Sequence, residues 1–238
     1  MTQLESEARS RLAIALDVSS LHEAEKIIAE VQPCLGVAKI GLQLFSVAGP
    51  AAVELAMNKG MDVVLDLKLH DIPNTVRSAA TELGRLGVKY VTTHAQGGYN
   101  MLSAGMEGLA IGAEQAGLAT PRLLAVTVLT SDVDAHADDL IGRARTADAA
   151  GCGIVCAAPD LPTVKTQFPE IFTLVPGIRL LGSDQNDQAR IATPGDALAQ
   201  GADLLVIGRT VTEAADMAKA AADVLADTTD ALALHRRD

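Results

Sequence analysis

One short segment, DLKLHDIPNT, concentrates the residue types that carry acid–base chemistry. Asp66 and Lys68 lie two residues apart in the run 62–68, which is otherwise apolar and has the composition of a β-strand. Side chains two apart on a strand project to the same face, so the carboxylate and the ammonium are expected to lie side by side. Asp71 follows in the next loop, and we expect it to bring a second carboxylate close to the same ammonium.

A lysine flanked by two carboxylates is kept charged, which makes Lys68 a candidate proton donor. A structural Asp–Lys pair at the rim of a barrel is the alternative, because a buried charge is tolerated when it is paired and hydrogen-bonded. Of the five histidines, His70 and His94 are nearest to this segment, and no spacing gives the geometry of metal ligands. No GxGxxG or P-loop pattern occurs. We therefore predict a site without a metal, and the sequence gives no support for the binding of a nucleoside cofactor.

Eight short apolar runs alternate with segments of helical periodicity along the chain. The predicted strands are 11–17, 36–41, 62–68, 89–94, 122–128, 153–157, 171–175 and 203–207. The predicted helices are 21–32, 50–59, 74–86, 99–116, 137–150, 158–167, 189–200 and 212–226. Such alternation implies parallel βαβ units, and it is shared by doubly wound open sheets. The count of eight favours a single (β/α)8 TIM barrel, which is of the α/β class.

The chain of 238 residues has the size of one such barrel, and neither a Pro-rich linker nor a break in composition divides it. We predict one domain over 1–238, with a loose leader at 1–10 and a frayed tail at 228–238. The first residues lack the layout of a signal peptide, and no apolar stretch approaches the 18 or so residues of a membrane span. The three cysteines are expected to be reduced thiols, and Cys152 and Cys156 to be buried in the core. A soluble cytoplasmic protein that binds no membrane is expected.

Composition excludes a nucleic-acid-binding function. The formal net charge is −11, whereas proteins that bind nucleic acids neutralise phosphates with a basic face. Aromatic residues make up only 2% of the chain, which leaves no stacking platform for single strands. An anionic small molecule would need a local cluster of basic residues.

Active sites of (β/α)8 barrels lie at the carboxyl ends of the strands. In this sequence, the predicted strand ends carry polar or glycine residues: Asp17, Lys39, Asp66, Lys68, His94, Thr127, Thr130, Gly208 and Arg209. Merely solvated strand ends are the alternative for each of them. Two lysines and two aspartates at one rim favour a site.

At these residues the chain resembles the orotidine 5′-monophosphate decarboxylases. D-x-K-x-x-D-I-P-N-T is the signature segment of that family, and every position matches. Further similar segments follow in order: ALD, VAKIG, AVTVLTS, PGIR, DQARIATP and VIGR with TVT. Related sugar-phosphate decarboxylases and a formaldehyde-fixing aldolase share D-x-K-x-x-D, but they lack the I-P-N-T, PGIR and DQ-x-R-I segments.

The resemblance implies a substrate-binding role for several residues. Asp17 is similar to the aspartate that binds the ribose, and its alternative role is to cap the helix that begins near Ser20. Lys39 is similar to the lysine that binds the ribose and joins Asp66, and a snorkelling strand lysine is its alternative. Thr130 resembles the hydroxyl contact to the base, while Thr127 fits strand packing. The implied phosphate and loop contacts are Arg179, Gln188, Gly208 and Arg209.

The implied reaction is the cofactor-free loss of CO2 from orotidine 5′-monophosphate to give uridine 5′-monophosphate, in pyrimidine biosynthesis. Lys68 would protonate C6, and Asp66 would orient Lys68. In the family, Asp71 and Thr75 come from the partner subunit, which implies a homodimer with shared active sites. Two alternatives remain, namely a metal-dependent sugar-phosphate decarboxylase or aldolase on the same barrel, and a non-catalytic phosphate-binding barrel.

Overall fold

The computed structural model describes residues 1–128, 137–180 and 192–235. Eight parallel strands close a barrel in the order of the chain, each paired with its sequence neighbours and β1 with β8. The strands are β1 Leu12–Leu16, β2 Val37–Gly41, β3 Asp62–Leu69, β4 Tyr90–His94, β5 Arg122–Val126, β6 Gly153–Val155, β7 Thr173–Ile178 and β8 Leu204–Ile207. The predicted (β/α)8 barrel is confirmed.

Helices surround the barrel. They are α1 Gln3–Ser10, α2 Leu21–Val31, α3 Leu42–Ala48, α4 Pro50–Asn58, α5 Pro73–Gly84, α6 Gly98–Ala116, α7 Ala137–Ala149, α8 Leu161–Gln167, α9 Pro194–Ala199, α10 Arg209–Thr212 and α11 Met217–His235. The sequence analysis missed α3 and the short α10, both of which follow directly on a strand. In the described ranges, no helix is long and apolar enough to cross a membrane.

The first ten residues are not a loose leader. Residues 3–10 form α1, which is held by a capping box in which Thr2 Oγ1 accepts from the Glu5 backbone N–H at 3.2 Å and Glu5 Oε2 accepts from the Thr2 N–H at 2.6 Å. Ala8 is fully buried, and the Arg9 carbonyl accepts a hydrogen bond from the Gly36 N–H at 2.8 Å. This helix is therefore part of the fold, because it satisfies backbone groups just before β2.

The tail was also predicted wrongly. Helix α11 continues to His235 and packs against α1, α2 and α9. Val224, Thr228 and Leu232 follow at intervals of four, so they share one face of α11, and each of them is buried. Burial of that face holds residues 228–235 in the helix, and the last three positions lie outside the described residues.

The amino end of the barrel interior is filled with side chains. The rings of Tyr90 and Phe172 stack at 5.4 Å between centroids, and the Arg122 guanidinium lies 4.5 Å from the Phe172 centroid. These residues lie at the amino ends of β4, β5 and β7. Small aliphatic residues such as Ala13 and Val37 pack in the same buried cluster as these two rings. The interior is thus a packed core at the amino end, open at the carboxyl end.

Cys152 and Cys156 are buried in the apolar core, as predicted. Burial raises the pKa of each thiol to about 12, so both stay protonated and poorly nucleophilic near neutral pH. All three cysteines of the chain are free thiols.

Helices α5 and α6 approach each other through glycine. A methyl group added at Gly112 would overlap the backbone carbonyl of Thr81, whereas Gly142 on α7 is exposed and has open space around it. We expect Gly112→Ala to destabilise the fold by about 1–3 kcal/mol, because overpacking forces the two helices apart. Gly142→Ala should stabilise it by up to about 1 kcal/mol through helix propensity. Thermal unfolding of both variants checks this, and equal shifts of Tm would contradict close packing at Gly112.

Candidate active site

Strand β3 carries a bulge at its carboxyl end. Leu65 pairs with Val91 and Leu69 with Thr93, so four steps along β3 span only two steps along β4. Inside this bulge Lys68 has a φ angle of 51°, the only positive value at a non-glycine residue among the described positions. Left-handed backbone at a side-chain-bearing residue costs on the order of 1–3 kcal/mol and clusters at functional sites. The strained backbone therefore marks Lys68 as a candidate functional residue.

The side chains of three neighbouring strands form a chain of alternating charge. Lys68 Nζ lies 2.7 Å from Asp66 Oδ1, which confirms that the two residues share a face. Lys39 Nζ lies 3.5 Å from Asp66 Oδ2 and 3.2 Å from Asp17 Oδ1. Thr92 on β4 donates its hydroxyl to Asp66 Oδ1 at 2.9 Å. Each charge is thus next to one of opposite sign.

Asp66 is the centre of this chain, and its side chain is only 15% exposed. Burial raises the pKa of the carboxyl, but the ammonium groups of Lys39 and Lys68, with the hydrogen bonds from Lys68 and Thr92, more than offset it. The pKa of Asp66 is therefore lowered. The negative charge of ionised Asp66 in turn offsets the repulsion between the two lysine ammonium groups, so that they can lie close together.

Asp17 does not cap α2. The Ser20 hydroxyl accepts from the Glu23 N–H at 3.2 Å and fills that role, while Asp17 turns to Lys39. A Cβ atom at position 41 would lie 2.8 Å from Asp17 Oδ1, so Gly41 leaves the space that this carboxylate occupies at the end of β2. The alternative roles of Asp17 and Lys39 are both excluded by these contacts, since the Lys39 ammonium is paired rather than snorkelling.

A cavity of about 470 Å³ opens at the carboxyl ends of the strands. The charged chain forms one side of it, and the segments after β7 and β8 contribute Arg179, Gly208 and Arg209. Apolar side chains form much of the remaining wall: Ala15, Val18, Val64, Val126, Val128, Val155, Leu174, Pro176, Ile178 and Val206. A concave, largely apolar pocket with a few convergent charges is the usual form of a small-molecule site.

Asp71 and Thr75 do not reach this cavity. Asp71 is exposed, and its Oδ1 accepts from the Ile72 N–H at 2.6 Å. Thr75 is exposed on the first turn of α5. Ile72 precedes a proline and is extended, with φ −59° and ψ 149°, which carries the chain away from the end of β3. The expectation of a second carboxylate beside Lys68 is therefore wrong within a single chain.

Two predicted contacts, Thr130 and Gln188, lie outside the described residues. Thr127 is buried, and its hydroxyl donates to the Val155 carbonyl at 2.8 Å, as expected of strand packing. Sequence analysis missed Thr92, although strand alternation places it on the same face as the predicted strand-end residue His94.

His94, at the end of β4, and His70, directly after β3, have rings that lie together outside the ion-pair chain. The His70 and His94 centroids are 5.4 Å apart. Burial lowers the pKa of His94, and so do the nearby His70, Lys68 and Arg143. His94 is therefore mainly neutral at pH 7. Within the described ranges, no three His, Cys, Asp or Glu residues are grouped so that they could hold a metal ion.

The fold and the site together define a (β/α)8-barrel protein with a small-molecule cavity built around a buried aspartate and two lysines. Residues 10–224 match the orotidine 5′-phosphate decarboxylase / HUMPS family, and the chain belongs to this family. An orotidine 5′-phosphate decarboxylase from Anaeromyxobacter sp. (strain K) is 42% identical, over 91% of this chain and 97% of the relative. One from Lactiplantibacillus plantarum is 40% identical, over 91% and 97%.

Solved structures agree with this assignment. The crystal structure of orotidine 5′-phosphate decarboxylase from Lactobacillus acidophilus has a TM-score of 0.80 and 30% identity, over 92% of this chain and 99% of that chain. An uncharacterized conserved protein from Geobacillus kaustophilus has a TM-score of 0.77 and 33% identity, over 91% and 99%.

We expect Lys39→Met to raise the pKa of Asp66, because one ammonium is lost while burial remains. Carboxyl-detected NMR titration measures this pKa directly. Lys59→Met is the control, since Lys59 pairs with Glu25 on the outer surface, and it should leave the pKa of Asp66 unchanged. An unchanged pKa in Lys39→Met would contradict the charged chain.

The substitution Lys39→Met should also change how the free energy of unfolding depends on pH. The folded pKa of Asp66 lies below its unfolded value of about 3.9, so its contribution is present above that pH and is lost as the pH falls through the folded pKa. Lys39→Met should reduce this contribution, because Lys39 is the largest of the causes that lower the pKa of Asp66. Urea unfolding between pH 2 and 6 should therefore show a weaker dependence on pH in the variant.

Proposed function

We propose that this protein removes CO2 from orotidine 5′-monophosphate and releases uridine 5′-monophosphate, the last step of de novo pyrimidine nucleotide synthesis. Membership of the family supports the substrate. The observation that carries the chemistry is the ion-pair chain of Asp17, Lys39, Asp66 and Lys68 on one wall of the cavity. An ammonium held rigidly in a pocket is suited to stabilise a carbanion without a cofactor.

In the proposed reaction, the bond between C6 and the carboxylate carbon breaks and its electron pair stays on C6. The Lys68 ammonium lies beside C6, stabilises the developing negative charge and donates a proton to the carbon. The neutral amine then regains a proton from water. Asp66 aims the ammonium through the 2.7 Å contact and crowds the departing carboxylate with its own negative charge. Lys39 keeps Asp66 ionised throughout.

The rest of the cavity holds the nucleotide. Asp17 and Lys39 bind the ribose hydroxyls, since they form the outer part of the charged chain. Arg179, Gly208 and Arg209 bind the phosphate, because arginine and backbone N–H groups after strands seven and eight are the usual phosphate site of this fold. Thr130 and Gln188 bind the base and the phosphate, as the family resemblance implies. In a chain of net charge −11, these arginines supply the local positive charge that a phosphate needs.

The two alternatives fit the site less well. A metal-dependent sugar-phosphate decarboxylase or aldolase would require metal for turnover, whereas Lys68 supplies the cation here. A non-catalytic phosphate-binding barrel would have no use for a strained lysine and an aspartate in its cavity. We further propose that the enzyme works in the cytoplasm, which its free cysteines support.

A homodimer with shared sites is part of the proposal. Four large apolar side chains, which we call the apolar rim, are exposed after the carboxyl ends of β2, β3 and β4. They are Leu42 at 57%, Val47 at 60%, Ile72 at 66% and Tyr99 at 51%. Large apolar side chains exposed at the carboxyl end of a barrel favour an interaction surface there, and Asp71 is the sequence neighbour of Ile72. A second copy packed on the rim would deliver Asp71 and Thr75 to the partner's Lys68.

We expect Lys68→Ala to abolish turnover while the protein stays folded, because the cation and the proton donor are lost together. At least several kcal/mol of transition-state stabilisation should disappear, which is a loss of more than about a thousandfold in kcat/KM. The fall in absorbance as orotidine monophosphate is consumed measures it, with a strong chelator present. Lys59→Ala on the outer surface is the matched control. Near-normal turnover of Lys68→Ala would overturn the mechanism, and wild-type activity that the chelator removes would favour the metal-dependent alternative.

The shared-site proposal predicts complementation. Lys68→Ala and Asp71→Asn should each inactivate a homodimer, but a mixed dimer collects both lesions in one site and none in the other. Random exchange produces mixed dimers about half the time, so about a quarter of the wild-type activity should return. Native mass spectrometry of mass-tagged subunits reports the exchange. Complete exchange without recovered activity would show that Asp71 acts in its own chain.

A further inference from the structure

We propose that Thr92 is a positioning residue of this site, whose one hydroxyl fixes both the backbone of Lys68 and the carboxylate of Asp66. The inference rests on the proposed function, because it assigns to Thr92 the task of holding the proton donor in place. It starts from a buried side chain that contacts the catalytic set from the neighbouring strand: Thr92 is 1% exposed and lines the cavity.

The hydrogen bonds of Thr92 have a fixed direction. Its Oγ1 accepts from the Lys68 backbone N–H at 2.9 Å, and it donates to Asp66 Oδ1 at 2.9 Å. A backbone N–H can only donate and an ionised carboxylate can only accept, so the single hydroxyl proton must point to Asp66. The arrangement therefore favours the ionised form of Asp66, and a protonated carboxyl could lose that bond.

The bulge explains why a side chain is needed here. Three residues of β3, positions 66–68, lie opposite Thr92 alone. The regular backbone hydrogen bonds between β3 and β4 therefore cannot satisfy all three of them. The Thr92 hydroxyl takes the place of a ladder acceptor for the Lys68 N–H. It thereby holds Lys68 at its positive φ angle, from which the side chain returns to Asp66. Without the hydroxyl, that N–H loses its acceptor and the strained backbone is free to relax.

The next residue offers a matched control. Thr93 is also fully buried, and its hydroxyl donates to the backbone carbonyl of Leu69, on the same strand β3. Adjacent residues on a strand point to opposite faces, so Thr93 faces the helices rather than the cavity. Thr93→Val thus removes a buried hydroxyl that binds β3 but makes no contact with Asp66.

The test compares Thr92→Val, Thr92→Ser and Thr93→Val in the full-length enzyme. Thr92→Val has nearly the same shape as threonine, and we expect kcat to fall at least about tenfold, the factor for one hydrogen bond to a charged group, with a smaller change in KM. The pKa of Asp66 should rise in the same variant. Thr92→Ser keeps the hydroxyl and should restore kcat to within about threefold of the wild type. Thr93→Val should leave both kcat and the pKa of Asp66 near their wild-type values.

Several outcomes would overturn the proposal: an unchanged kcat in Thr92→Val, no rescue by Thr92→Ser, or an equal loss in Thr93→Val. If Thr92→Val does not fold, amide hydrogen exchange of the wild type decides instead. The Lys68 N–H should then exchange slowly although it lies in a bulge, and fast exchange would exclude the bond to Thr92. A wild-type enzyme without decarboxylase activity would overturn the proposed function, while the pKa and exchange measurements would still judge the role of Thr92 in the structure.

Discussion

The charge on Asp66 is the constraint on which the rest of the site depends. The ammonium groups of Lys68 and Lys39 lie 2.7 and 3.5 Å from its oxygens. If the carboxyl were neutral, the repulsion between these two positive charges would not be offset. Burial alone would favour that neutral form, and the lysines and Thr92 overcome it. The aspartate and the two lysines thus offset one another's charge, and removal of either lysine is expected to raise the pKa of Asp66.

The barrel brings these groups together from distant parts of the chain. Lys39, Asp66 and Thr92 come from three successive strands, whose parallel pairing places their carboxyl ends at one rim. The four charged residues of the ion-pair chain lie on strands or directly after one. The part of the helical shell is to bury the outer faces of the strands, which fixes the register and with it the distances in the site.

The architecture and the Asp66–Lys68 pair could be predicted because they follow from periodicity: a strand–helix alternation in one case, a spacing of two in the other. The bulge could not, since the period of a strand contains no sign of extra residues, and with it the left-handed backbone of Lys68 was missed. Thr92 was missed although it shares a face of its strand with His94. Helix α1 was missed for a different reason. Its capping-box residues Thr2 and Glu5 are visible in the sequence, but the segment is short and contains few apolar residues, of which only Ala8 is buried. Within one chain Asp71 is not beside Lys68, because its carboxylate accepts from the Ile72 N–H; its predicted role across a dimer stays a prediction.

The packed amino end of the barrel makes the cavity blind. Among the described residues, Tyr90, Phe172 and the aliphatic residues around them fill the amino end of the barrel interior, so the cavity opens at the carboxyl rim. A reaction that splits one substrate into CO2 and a nucleotide must therefore release both products through the same opening. Whichever product leaves last must clear that opening before another substrate molecule can bind.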